Sequence, residues 1–194
     1  MGLIATVLVG GALGNYCTKN EHTVDLGELP YAASGLHECQ YAGPIHVSYS
    51  QDSKSKGHNL FYWFFKNKNA SAPLLLWING GPGATSMMGV FMEGGPLRVR
   101  RKSSGADDFE IYPATKSWAD DYSIIFLDQP VGTGFSYSEV HDTCHHMSCG
   151  GKEFVDFLTQ FLDMYPEFWN KRFFLTGESF GGKYLALFTQ MILE

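Results

Sequence analysis

Ser179 stands in Thr176-Gly177-Glu178-Ser179-Phe180-Gly181-Gly182, a Gly-x-Ser-x-Gly pattern with an apolar run at 173–175 before it and a helix-competent run at 183–193 after it. That order predicts strand, sharp turn and helix, with the serine at the apex. The chemistry of such an elbow is acyl transfer: a strained turn lifts a hydroxyl nucleophile clear of the sheet, and small flanking residues let strand and helix approach. The helix N-terminus behind Ser179 favours negative charge developing on a substrate oxygen. A plain strand-to-helix turn uses the same residue types, so the motif needs support elsewhere in the chain.

Acyl transfer also needs oxyanion donors, a base and a group that orients the base. In the nucleophile-elbow design one donor is the backbone N–H after the nucleophile, here Phe180, and the other comes from a glycine-rich loop after an earlier strand. Asn79-Gly80-Gly81-Pro82-Gly83 is such a loop, at the end of the apolar run 73–78. In the same design the acid and the histidine follow the nucleophile. Here His22, His37, His46, His58, His141, His145 and His146 all precede Ser179, and neither Asp nor His follows it.

A sheet must hold these residues in place. Ile45-His46-Val47-Ser48-Tyr49 alternates as a half-buried strand does, and Asn59-Leu60-Phe61-Tyr62-Trp63-Phe64-Phe65 follows a turn-like stretch, which predicts an antiparallel hairpin. The runs 73–78 and 122–127 are continuously apolar, the pattern of strands buried on both faces. Residues 98–110 between them read as a charged loop. Phe154, Phe157, Leu158, Phe161, Leu162 and Tyr165 fall on one helical stripe that Pro166 closes. This alternation predicts an α/β fold: a mainly parallel sheet, an N-terminal antiparallel hairpin and flanking helices.

With 194 residues, 44% of them hydrophobic and 15% aromatic, the chain is long and apolar enough for one packed domain. A net charge of -6 offers no basic patch, so neither nucleic acid nor an anionic membrane is an expected partner. Residues 1–14 carry an apolar stretch and then small residues, like a signal peptide core without its positive leading segment; a buried strand is the other reading, and the stretch is too short for a membrane span. Residues 15–38 read as a polar, surface-running leader, and 39–194 as the domain. Asn69-Ala70-Ser71 is a glycosylation acceptor at Asn69, which fits a secretory route. Cys17, Cys39, Cys144 and Cys149 permit two disulfides in an oxidising compartment, with three pairings open. The stretch 141–149 is rich in His and Cys, but its spacing is not a zinc knuckle and no second pair answers it. A loop disulfide or surface residues are expected there, with no metal.

Six blocks, in order, resemble the serine carboxypeptidase family: Gln40-Tyr41-Ala42-Gly43; residues 59–65; Leu76-Trp77-Ile78-Asn79-Gly80-Gly81-Pro82-Gly83; Phe91-Met92-Glu93-Gly94-Gly95-Pro96; residues 127–137; and residues 176–182. The resemblance covers residues 40–194. It implies an α/β-hydrolase fold, no cofactor or metal, and an enzyme that removes the C-terminal residue of a peptide or protein at acidic pH by way of an acyl-enzyme. It implies Ser179 as nucleophile, the amides of Gly81 and Phe180 as oxyanion donors, and Trp77, Asn79, Gly80 and Glu178 as the group that holds the substrate's terminal carboxylate. A protonated Glu178 can donate a hydrogen bond to that carboxylate, whereas an ionised one repels it. The family commonly has Tyr where Phe180 stands, and a disulfide cysteine where Ala84 stands.

Without Asp or His after Ser179, the chain reads as the N-terminal portion of such an enzyme, truncated after the elbow helix and completed by a second chain or a missing C-terminal half. The alternatives are a non-catalytic truncated isoform that at most binds peptide or a partner, and an acyltransferase on the same scaffold. The expected location is secreted, vacuolar or lysosomal.

Overall fold

A computed structural model describes residues 17–18, 20–49, 57–102, 108–140 and 146–194. The signal-like stretch 1–14 and positions 141–145 of the His/Cys-rich loop lie outside the described residues. In chain order the elements are β1 (Gln40–Val47), β2 (His58–Phe65), β3 (Leu74–Ile78), α1 (Met87–Met92), β4 (Leu97–Arg101), β5 (Phe109–Pro113), β6 (Ser123–Leu127), β7 (Tyr137–Ser138), α2 (Met147–Met164), β8 (Phe173–Gly177) and α3 (Gly181–Leu193). The main sheet is mixed, in the order β1-β2-β6-β3-β8, with β7 added to the start of β2. β1 and β2 form the antiparallel hairpin, β2 meets β6 antiparallel, and β6, β3 and β8 run parallel.

Strand periodicity sorts the side chains onto two cores. Leu74, Leu76, Ile78, Ile125 and Leu127 point to one face, where Phe154, Phe157 and Phe161 of α2 and Tyr184 and Phe188 of α3 cover them. Leu75, Trp77, Ile124 and Phe126 point to the other, where Met87 and Val90 of α1 and Leu97 pack. Burial on both faces is why these strands read as unbroken apolar runs. Each fully buried aliphatic side chain, such as Leu76 or Ile125, contributes about 1.5–3 kcal/mol. α2 begins earlier than the stripe of apolar residues marks, because its first turns, with Gly150 and Gly151 buried, are small rather than apolar. α2 and α3 are joined by the stacked rings of Phe154 and Phe188, 4.3 Å apart.

Residues 98–110 correct the sequence reading. Instead of a charged loop they contribute β4 and the start of β5, an antiparallel pair that forms a separate two-stranded sheet. The charges that hide the strand pattern are cross-strand partners: Arg100 lies opposite Glu110, donates to its Oε2 from Nε at 2.7 Å, and stacks over Tyr112. The short helix α1 and the two-residue β7 also had no periodic signal.

Residues 20–38 contain no helix or strand among those described, yet they are anchored. Cys17 is bonded to Cys39, and Cys149 is also in a disulfide. The Val24 amide donates to the Gln40 carbonyl and the Ala42 amide to the His22 carbonyl, so residues 22–24 cover part of the β1 edge. His22 Nδ1 pairs with Tyr62 Oη at 2.7 Å, and His37 Nε2 with the Lys66 carbonyl at 2.7 Å. Burial lowers the pKa of both histidines from the usual imidazole value. No helix among the described residues is long and apolar enough to cross a membrane.

Candidate active site

The C-terminal ends of β3, β6 and β8 meet where the predicted chemistry lies. Ser179 links β8 to α3 with φ = 53°, in the left-handed region that non-glycine residues rarely enter. The chain leaves the strand and turns abruptly into helix, as Gly181 N donates to the Glu178 carbonyl at 2.8 Å and Gly182 N to the Ser179 carbonyl at 3.0 Å. Both Ser179 and Glu178 are exposed.

The two glycines of the motif have one physical cause. A Cβ on Gly177 would stand 2.5 Å from the Ile78 carbonyl oxygen, and one on Gly181 would stand 2.8 Å from that same atom. Strand β8 and helix α3 therefore close on the end of β3 through bare backbone. The next residues of β3 continue the contact. A Cβ on Gly80 would lie 2.7 Å from the Phe180 nitrogen, 2.8 Å from the Glu178 oxygen and 2.9 Å from Ser179 Cβ. The structure thus brings the 79–83 loop against the elbow, although about a hundred residues of chain separate them. Gly81 and Gly83 have φ of +102° and +86°, and the Ala84 amide closes the turn on the Gly80 carbonyl at 3.1 Å. Gly81 is exposed beside the equally exposed Ser179, while Gly80 is buried.

Asn79 is fully buried. Its Oδ1 accepts from Trp77 Nε1 at 2.8 Å, its Nδ2 donates to Glu93 Oε1 at 3.1 Å, and its backbone N–H donates to Ser86 Oγ at 3.1 Å. Trp77 is therefore a side-chain orienter for Asn79, held in turn by the edge of Trp118 at 5.2 Å and by close contact with Gly89 of α1. Nδ2 carries two hydrogens, so one remains after the bond to Glu93.

Glu93 was not singled out as a site residue from sequence. It follows α1, bonds the Asn79 amide, and leaves its Oε2 buried without a hydrogen-bond partner. The only sequence signal was its place in the block Phe91 to Pro96, which carries no spacing rule of its own. Arg98 fixes this segment by donating to the Glu93 carbonyl at 2.7 Å.

Asp128, at the end of β6, is also fully buried. Burial pushes its carboxyl above the ordinary range, against the pull of hydrogen bonds from Phe135, Thr85 and Ser86. Tyr184, one turn into α3, is raised chiefly by burial, with the Gly83 backbone pulling the other way. All seven histidines precede Ser179 in the chain, and those described lie on the leader, the hairpin strands or the start of α2 rather than in the elbow.

A family model described as serine carboxypeptidase matches residues 34–194. Carboxypeptidase Y homolog A of Fusarium vanettenii is 37% identical over 189 residues, which is 96% of this chain and 32% of that protein. Pheromone-processing carboxypeptidase KEX1 of Coccidioides posadasii is 34% identical over 196 residues, 97% of this chain and 28% of that protein. The crystal structure of KEX1(delta)P, a prohormone-processing carboxypeptidase from Saccharomyces cerevisiae, matches with a TM-score of 0.71 and 31% identity over 94% of this chain and 39% of that one. The chain spans under a third of the length of these two curated relatives.

Proposed function

The chain belongs to the serine carboxypeptidase family of α/β-hydrolases, and from that premise we propose that it supplies the nucleophile, oxyanion donors and carboxylate-binding loop of an enzyme that trims peptide C-termini. The observation that carries the reading is the contact of Gly80 with Glu178, Ser179 and Phe180. It joins the loop that would bind a terminal carboxylate to the elbow that would attack the bond one residue away.

In this reading Ser179 Oγ attacks the scissile carbonyl and an acyl-enzyme forms, to be released by water. The amides of Gly81 and Phe180 receive the oxyanion, where donors fixed in advance lower the barrier. The substrate carboxylate sits against Gly80, the remaining Asn79 hydrogen and Glu178. Trp77 and Glu93 hold Asn79 in register. A base and its orienting acid complete the reaction from outside these 194 residues. Carboxyl groups at Glu93 and Glu178 would repel an anionic terminus when all are ionised, which favours binding at acidic pH.

Passage through the secretory pathway is part of the same proposal. It is supported by the Cys17–Cys39 disulfide and by Asn69, which is exposed in a turn where its Oδ1 accepts from the Ser71 amide at 2.9 Å. The test is hydrolysis of an N-blocked dipeptide by the full-length protein, together with labelling of Ser179 by a fluorophosphonate. Cleavage should vanish in Ser179→Ala, KM should rise from acid to neutral pH, and a C-terminally amidated peptide should be a poor substrate. An active Ser179→Ala protein, or equal use of free and amidated C-termini, would refute the reading.

A further inference from the structure

We propose that Asp128 is the positioning residue of the substrate-binding loop, fixing Asn79 and Gly81 through its hold on Thr85 and Ser86. The inference rests on the reading of residues 79–83 given above, and it adds a residue that touches neither substrate nor nucleophile. Asp128 Oδ1 accepts from Thr85 Oγ1 and from the Ser86 amide, both at 2.7 Å, and its Oδ2 accepts from the Phe135 amide at 2.9 Å. Ser86 then passes the constraint on: its Oγ donates to the Leu127 carbonyl at 2.5 Å and accepts the Asn79 amide at 3.1 Å. The segment 79–86 is thereby tied to the end of β6 at two points, one through the Asp128 side chain and one through the β6 backbone.

The chemistry of the partners specifies a carboxylate. All three groups facing Asp128 are donors, so a carboxylate satisfies every one, whereas an amide of the same shape must turn its NH2 toward at least one of them. Gly134 is shaped to the same end, since a Cβ there would lie 2.6 Å from Asp128 Cγ and 2.7 Å from Thr85 Oγ1. The loops 79–86 and 131–136 close over the carboxylate from both sides. Oxyanion donors work only when held where the charge will form, and a displacement of about 1 Å costs on the order of a hundredfold in rate.

The experiment compares wild type, Asp128→Asn and Thr85→Val in the full-length protein, with folding monitored by circular dichroism. Two readouts are taken: kcat and KM on the N-blocked dipeptide, and hydrogen exchange of the amides in residues 79–86. Asp128→Asn should lower kcat by on the order of tenfold to a hundredfold, weaken a peptidyl boronate more than a product amino acid, and raise exchange in 79–86 while exchange in α2 is unchanged. Thr85→Val removes one donor of the three, keeps the charge and should shift the same readouts by a smaller factor. If Asp128→Asn does not fold, the Thr85→Val result decides. Exchange in 79–86 unchanged in a folded variant overturns the proposal, whether or not the wild type is active. An inactive wild type with raised exchange in the variant refutes the peptidase reading and keeps the positioning role.

Discussion

At the β8 edge of the sheet, elements meet through backbone: Gly177, Gly181 and Gly80 bring strand, helix and loop within reach of one another with no side chain between them. At the β1 edge the leader is held by a mixture of side-chain and backbone bonds: the Cys17–Cys39 disulfide, the His22–Tyr62 bond, His37 on the Lys66 carbonyl, Tyr41 Oη donating to the Thr18 carbonyl, and the Val24 and Ala42 amides paired with the Gln40 and His22 carbonyls. The first kind of contact fixes atoms to a fraction of an ångström and tolerates no added carbon. The second spreads its energy over several separable interactions. The proposed chemistry lies at the first edge, and the anchoring of the leader at the second. The difference matches the need of a reaction for placement and of a covering segment for attachment.

The comparison is tested most severely by Gly80→Ala. The new Cβ would meet the Phe180 nitrogen, the Glu178 oxygen and Ser179 Cβ, none of which can swing aside as a long side chain would. We expect kcat/KM in the full-length protein to fall on the order of a hundredfold, with a much smaller relative effect on stability. A kcat/KM within threefold of wild type would show that the loop does not need its backbone contact.

The opposite edge should respond in the opposite way. Replacing Cys17 and Cys39 together by serine releases a closure across 22 positions and should cost about 3 kcal/mol in urea denaturation, with kcat unchanged. A fall in kcat at full occupancy of the folded state would join the two edges energetically and break the distinction.

The smallest effect is in pH. His22 and His37 have folded pKa values lowered mainly by burial, so between those values and the ordinary imidazole value near 6.5 the unfolded chain binds more protons than the folded one. Stability from these two groups is complete above that window and is lost as pH falls through it. The protection factors of amides in residues 20–42, taken relative to the intrinsic exchange rate at each pH, should therefore fall between pH 7 and pH 5 more than those in β3 or β8. His37→Gln should flatten that dependence. An equal loss of protection at both edges would place the acid sensitivity elsewhere.

The elbow was legible because its constraint is local. Gly177, Ser179 and Gly181 lie within five residues, and the strand before them and helix after them each carry their own pattern. The parallel strands were legible for a related reason, since burial on both faces leaves no polar alternation to mislead. The β4–β5 pair was not, because its exposed faces carry charges that match only across the register, as Arg100 does with Glu110. Nor could spacing choose the partner of Cys17, since the cysteines allowed three pairings and only the path of the leader along β1 brings Cys39 to it.

The sequence by itself determined the strand-to-helix turn at Ser179, the glycine-rich loop and the α/β order of elements, all set by backbone conformation and burial pattern within short windows. Only the tertiary structure decided that Gly80 touches Ser179, that Asn79 is spent on Trp77 and Glu93, and that Asp128 ties the loop to β6. Those are meetings of residues far apart in the chain. No periodicity records them, because they follow from the parallel pairing of β3 with β6 and β8 and from the room that glycine leaves for one backbone to lie on another.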